Sequence, residues 1–232
     1  MAATFQTIST AASKTTITTG SLTLNAPAGG ALDDLYIASI AYRGTGTITL
    51  PTGWTLIQQQ NGGNITGTVS QAISSGIMAY ILRDTVEPSF VFGGFPDIAT
   101  GVVTRINGQS IISPIGDSSS VTLANRSVTL NGSALTVTAD NLVLMACCGA
   151  TNVTWSNQSI GAPTNLTLTE RIDAGNPNQG GTSVSVATGI LPNTETTGTP
   201  TATASASTRN VQLLVEIRNP SVAKRRSYAI IV

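Results

Sequence analysis

A stretch that occurs twice sets the terms on which this chain can fold. Residues 33–57 read DDLYIASIAYRGTGTITLPTGWTLI, and residues 140–172 read DNLVLMACCGATNVTWSNQSIGAPTNLTLTERI. Each copy opens on an acidic turn, enters a strand that is apolar at nearly every position, and later reaches a Pro-Thr corner. A strand without polar alternation is covered on both faces, so each copy needs material above and below it. Two such copies predict an all-β body built from paired halves.

The rest of the chain reads in the same way. Residues 21–26 (SLTLNA) alternate and stop at Pro27-Ala28-Gly29-Gly30, and residues 75–83 (SGIMAYILR) form a second buried strand. Residues 89–92 (SFVF) alternate until Gly93-Gly94 breaks them, and residues 98–106 close the first half near Asn107-Gly108. Residues 109–127 read as a connector. The order then repeats: 140–147 matches 33–40, 163–168 (PTNLTL) matches 51–56 (PTGWTL), 183–190 stands where 75–82 stood, and 211–219 matches 100–107. β-branched residues dominate, helical periodicity is missing, and turn signals recur about every eight to twelve residues. Strands with one apolar face close into a barrel or pair as two sheets, and about 14 of them exceed one small barrel.

The expectation is therefore an antiparallel β-sandwich of jelly-roll type with two pseudo-repeated halves, about 21–108 and 128–219, within one domain at 21–219. Both halves are expected to contribute to both sheets. Two separate sandwiches are the alternative, disfavoured because neither half is rich in large apolar residues. Residues 1–20 are expected to be an arm or an edge strand. Residues 220–232 form a tail whose last five residues, from Tyr228 to Val232, are apolar and β-prone. Such a tail invites pairing with its own sheet or with a neighbour.

Composition narrows the function classes. Charged residues make up 9% of the chain, far below the roughly 25% of an average domain. Eleven basic residues balance eleven acidic ones, and no basic stripe crosses the body. Nucleic acid is thus not an expected partner. The one basic cluster is Lys224-Arg225-Arg226; with Tyr228, Ile230 and Ile231 it marks the tail as the candidate interaction segment. The N-terminus has no cationic start followed by an apolar run, so no secretory signal is read there. No apolar stretch approaches the roughly 20 residues of a membrane-spanning helix.

Catalytic chemistry finds little material. The chain has no histidine, which removes histidine-based triads and most zinc sites. Cys147 and Cys148 are adjacent, so on a strand they point to opposite faces and read as buried apolar residues rather than a disulfide or a nucleophile. The acids are scattered. Asp33, Asp34 and Asp140 recur at the head of a strand in both halves, where a calcium or active-site role competes with a turn role. The turn role is preferred, because calcium wants six or more oxygen ligands and no dense Asp/Asn run supplies them. Trp54 reads as a core plug rather than a sugar platform, and aromatics at 4% supply a glycan face poorly. No catalytic residue, cofactor or metal is expected, and the chain is not expected to be an enzyme.

The motifs Asp34-Leu35-Tyr36-Ile37-Ala38, Tyr42-Arg43-Gly44 and Pro51-Thr52-Gly53-Trp54-Thr55-Leu56-Ile57, followed by Asp140-Asn141-Leu142-Val143 and Thr169-Glu170-Arg171, resemble a β-sandwich family common among structural proteins of tailed phages. The chain departs from that pattern at Asp33, where the family often has glycine, and in its basic and apolar tail. The resemblance implies a virion structural protein without catalytic residues. It is expected to be a capsid decoration or auxiliary head protein that binds the capsid surface and itself, as a homo-oligomer such as a trimer, with the virion as its location. A tail-associated adhesin or carbohydrate- or receptor-binding module is the alternative.

Overall fold

The computed structural model describes residues 2–62, 73–177 and 181–220, with the backbone alone at 124–126. The described residues are all β, in antiparallel sheets. The first half begins with β1 (Thr4–Ile8), β2 (Ala12–Lys14), β3 (Gly20–Thr23) and β4 (Leu35–Arg43), followed by β5 (Thr55–Gln60), β6 (Ser74–Leu82), β7 (Val91–Phe95) and β8 (Ala99–Asn107). The second half opens with β9 (Ile115–Asn131), β10 (Thr136–Val137), β11 (Leu142–Gly149), β12 (Trp155–Ile160) and β13 (Leu166–Thr167). It ends with β14 (Thr169–Asn176), β15 (Thr182–Ile190), β16 (Glu195–Thr196) and β17 (Pro200–Ile217).

Each half supplies its own large sheet, which differs from the expectation that both would feed both sheets. The first sheet runs β1-β8-β4-β6-β5, with β2 also on β8; the second contains the order β17-β11-β15-β14, with β9 on β17. These are the same order twice, with β8, β4, β6 and β5 answered by β17, β11, β15 and β14. The register repeats as well. Leu35 faces Ile106 and Leu82, as Leu142 faces Ile217 and Ile190. Bulges fall at matching places, between Leu56 and Gln58 and between Glu170 and Ile172.

A second layer covers the outer face of each large sheet. In the first half it is β3 on β7, joined by the bridge from Thr49 to Gly93. In the second half the ends of two long strands do the same work, residues 127–131 of β9 against residues 200–204 of β17, with β12 alongside. Pro96 breaks the first half's chain between β7 and β8, while Gly93 and Gly94, expected to end the strand, lie inside β7. The second half's TATASASTRN contains no such breaker, so β17 runs through both layers. This is also why the stretch expected to be a connector is mostly strand: residues 115–123 of β9 line the edge of the second sheet.

Three apolar cores follow. Leu35, Ile37, Met78, Val102 and Ile106 of the first sheet meet Leu144, Cys148, Val186, Leu213 and Val215 of the second. Tyr36, Tyr42, Trp54, Phe90, Phe92 and Phe95 fill the first half beneath its outer layer. Val143, Met145, Cys147, Trp155 and Leu214 fill the second. Strands β4 and β11 thus send alternate residues into two cores, which explains their unbroken apolar runs. Burying each such large side chain contributes about 1.5–3 kcal/mol.

Candidate functional site

The acidic strand heads are turn residues. Asp33 and Asp140 both adopt left-handed backbone, at φ 66° and 65°. Their amides donate to Arg83 O and Leu191 O, closing the same turn in both halves. Short polar side chains tolerate this conformation, while most others do not. The next residue differs. Asp34 Oδ2 accepts from Ala31 N at 2.7 Å and from Arg105 Nε at 2.6 Å. In the second half Asn141 Nδ2 donates to Glu216 Oε1 at 2.9 Å, and Glu216 also accepts from Thr138 N at 2.5 Å and Asp117 N at 3.3 Å. Tyr36 pairs Arg105 and Val143 pairs Glu216 in equivalent registers. One site therefore carries an ion pair in one half and a backbone-fed carboxylate in the other.

Both tryptophans are internal. Trp54 is 7% exposed, stacks edge-on against Phe90 and Phe92, and donates Nε1–H to Ser89 O at 2.8 Å. Trp155 is 3% exposed and donates Nε1–H to Ser183 Oγ at 3.2 Å. The corner motifs keep their turn, since Gly53 and Asn165 both have positive φ. The second half then carries β13 before its strand resumes. Thr55 faces Tyr80 and Thr169 faces the equivalent Thr188, so Leu168, not Leu166, occupies the position of Trp54. Both cysteines are free and buried. Burial pushes the Cys148 thiol up to about 12 and Cys147 well above its ordinary value, the latter helped by Cys148, Asp173 and Glu170. Neither supplies a thiolate at neutral pH.

The arrangement closest to chemistry was not singled out in the sequence. It lies where β14 and β15 meet β12. Glu170 Oε2 accepts from Gln158 Nε2 at 3.1 Å, and the same nitrogen donates to Ser185 Oγ at 2.9 Å. Asp173 Oδ2 accepts from Trp155 N at 2.6 Å, while Oδ1 is buried without a partner. Burial pushes the Asp173 carboxyl up to about 6; the Trp155 N–H opposes that shift and the charge of Glu170 adds to it. The only available signal was the offset of acids along TERID, which a bulge at Arg171 brings to one face. Two carboxylates near one another are the material for acid–base work. Here each is spent on tying β12 to β14 and β15, and the groups around them belong to the sheet.

No group of three or more Cys, Asp or Glu that could hold a metal occurs among the described residues. Lys14 is buried as well, at 7% exposure, as are Asp34, Arg209 and Glu216. Its Nζ donates to Thr16 O and Thr18 O at 2.6 Å and to Asp97 O at 2.9 Å, pinning the loop after β2 to the start of β8. The interaction residues expected in the tail, Lys224, Arg225, Arg226, Tyr228, Ile230 and Ile231, lie outside the described residues. No described helix is long and apolar enough to cross a membrane. Comparison with protein families, with characterised proteins and with solved structures finds no match to this chain.

Proposed function

We propose that this chain is a non-enzymatic structural protein of a tailed-phage particle, a decoration or auxiliary protein of the head that binds the capsid surface and copies of itself. The motif resemblance sets the context, and the shared core carries the reading. Two β halves packed back to back through Ile37, Met78, Val102, Leu144, Val186 and Leu213 share one core and make one block. The tryptophans and the most perturbed carboxylate are engaged inside that block. What it offers outside is a low-charge surface and strands with an edge left unpaired by the described residues, β1, β5, β9, β13 and β14 of the two large sheets among them. Unpaired edges accept an added strand from a neighbour. A stable attachment would bury about 1,200 Å² or more.

The test is to locate the protein on particles from its source with gold-labelled antibody and electron microscopy. Label spread over heads is the expected result. Label confined to the tail end would replace this reading with receptor or carbohydrate binding, and particles without label would overturn the virion context.

A further inference from the structure

One end of the body gathers apolar side chains on turns and at the end of β15. Ile112 is 93% exposed, Val86 76%, Leu32 58%, Ile111 56% and Ile190 48%. These turns are neighbours, because hydrogen bonds join them in series. Asp33 N donates to Arg83 O, and Gln109 Nε2 donates to Asp33 O. Ser110 N donates to Arg218 O, and Ser113 N to Ser110 Oγ, which closes the turn that carries Ile111 and Ile112. Asn219 Nδ2 donates to Asp140 O, and Asp140 N to Leu191 O. Clustered exposed apolar residues on one end mark a surface that something covers.

The same bonds show where the chain leaves the body. Arg218 and Asn219 are held in this ring, with Arg218 Nη1 on Ser113 Oγ and Asn219 N on Asn141 Oδ1. The last described residues thus lie against the turn that carries Ile111 and Ile112, and residues 221–232 follow them in the chain. They contain Lys224-Arg225-Arg226 and end in Tyr-Ala-Ile-Ile-Val. Removing those three cations leaves eight basic against eleven acidic residues in the rest of the chain. Among the acids, Asp33, Asp84 and Asp140 are exposed on turns of this end. The eight residue-to-residue steps from Pro220 to Tyr228 reach roughly 26–29 Å when extended. An end about six strands wide, at about 4.8 Å each, is within that reach.

We infer that this end is the docking surface of the chain's own C-terminal segment: Tyr228, Ile230 and Ile231 cover Leu32, Val86, Ile111 and Ile112, while Lys224, Arg225 and Arg226 face Asp33, Asp84 and Asp140. A short tether holds the segment at a millimolar effective concentration, so docking on its own body outcompetes docking on a second copy at micromolar protein.

Hydrogen exchange by mass spectrometry on the full chain tests this. The comparison is with full chains carrying Ile230→Asp with Ile231→Asp, and Lys224→Glu with Arg225→Glu and Arg226→Glu. Both variants are expected to speed exchange at residues 31–33 and 110–113 by about tenfold or more while leaving β4 and β11 protected. A further variant with Asp84→Lys, Asp33→Asn and Asp140→Asn, which keeps a short polar side chain at the two left-handed positions, should restore protection in the chain carrying the three glutamates. Unchanged exchange in both tail variants would overturn the inference. So would protection that appears only as protein concentration rises together with a dimer in light scattering, because the occupant would then be a second copy.

Discussion

Lys14 shows how single polar residues hold this fold together. Its ammonium gives three hydrogen bonds to backbone carbonyls of the loop after β2 and of the start of β8. Lys14→Met keeps the stem but leaves those carbonyls without a donor, at a cost of about 2–3 kcal/mol. Urea denaturation should show the loss as a lower midpoint with an unchanged slope. Asp173 acts in the opposite sense. Its pKa of about 6 in the folded chain lies above the ordinary 3.8, so the folded state binds the proton more tightly than the unfolded one. Below about pH 4 both states are protonated and there is no penalty; the penalty grows as pH rises from 4 to 6 and is then complete. Allowing for the group's partial exposure, it is about 1 kcal/mol. Asp173→Asn retains an oxygen for Trp155 N, and it should flatten the fall in stability between pH 4 and pH 7 and stabilise the protein at pH 7. Urea midpoints measured across that range for both proteins check this, and parallel curves would show that Asp173 is not the group responsible.

At the scale of strands, the two large sheets pack tightly against each other where β6 carries glycine. A Cβ at Gly76 would sit 3.0 Å from Cys148 Sγ and 3.2 Å from Leu213 Cδ1 and Val211 Cγ1. The equivalent position in the second half is Val184, which fills the shared core. Gly76 is thus the recess that receives β17 and β11. Gly76→Val should destabilise by about 1–3 kcal/mol through overpacking, with Gly76→Ala intermediate, as read by thermal unfolding. This asymmetry could not be seen in the sequence, where Gly76 looks like a weak point in a strand. The unbroken runs of β4 and β11, by contrast, were legible because two-sided burial erases alternation. The register of β14 was not, because PTNLTL copies PTGWTL in turn conformation while two extra residues follow it. Nor was the acidic cluster, since a bulge sets the facing of Glu170 and Asp173. The long β9 was hidden by its serines, which lie at a sheet edge where apolar residues are not required.

For the molecule as a whole, the question is whether two halves with their own inner cores fold as two units or one. Each half has a private core, one around Trp54 and the other around Trp155. Separation would nonetheless expose Leu35, Ile37, Met78, Val102 and Ile106 on one side and Leu144, Val186, Leu213 and Val215 on the other. It would also break the Thr100–Thr182 hydroxyl pair at 2.7 Å and the bonds from Ser74 Oγ to Cys148 O and from Gln58 Nε2 to Leu214 O. At about 1.5–3 kcal/mol per large side chain, that face outweighs the stability of an ordinary domain, about 5–15 kcal/mol. Neither half should then persist alone. The tryptophans provide one reporter in each half. In Trp155→Phe the fluorescence follows the first half through Trp54, and in Trp54→Phe it follows the second through Trp155. The two denaturation curves should each be single transitions, and far-UV circular dichroism should coincide with fluorescence in both proteins. Adding Ile37→Ala to each background should lower both midpoints by the same free energy, about 2–4 kcal/mol, although Ile37 belongs to the first half. A midpoint that moves only for the Trp54 reporter would mean that the shared core is an interface between two independent sandwiches rather than the centre of one.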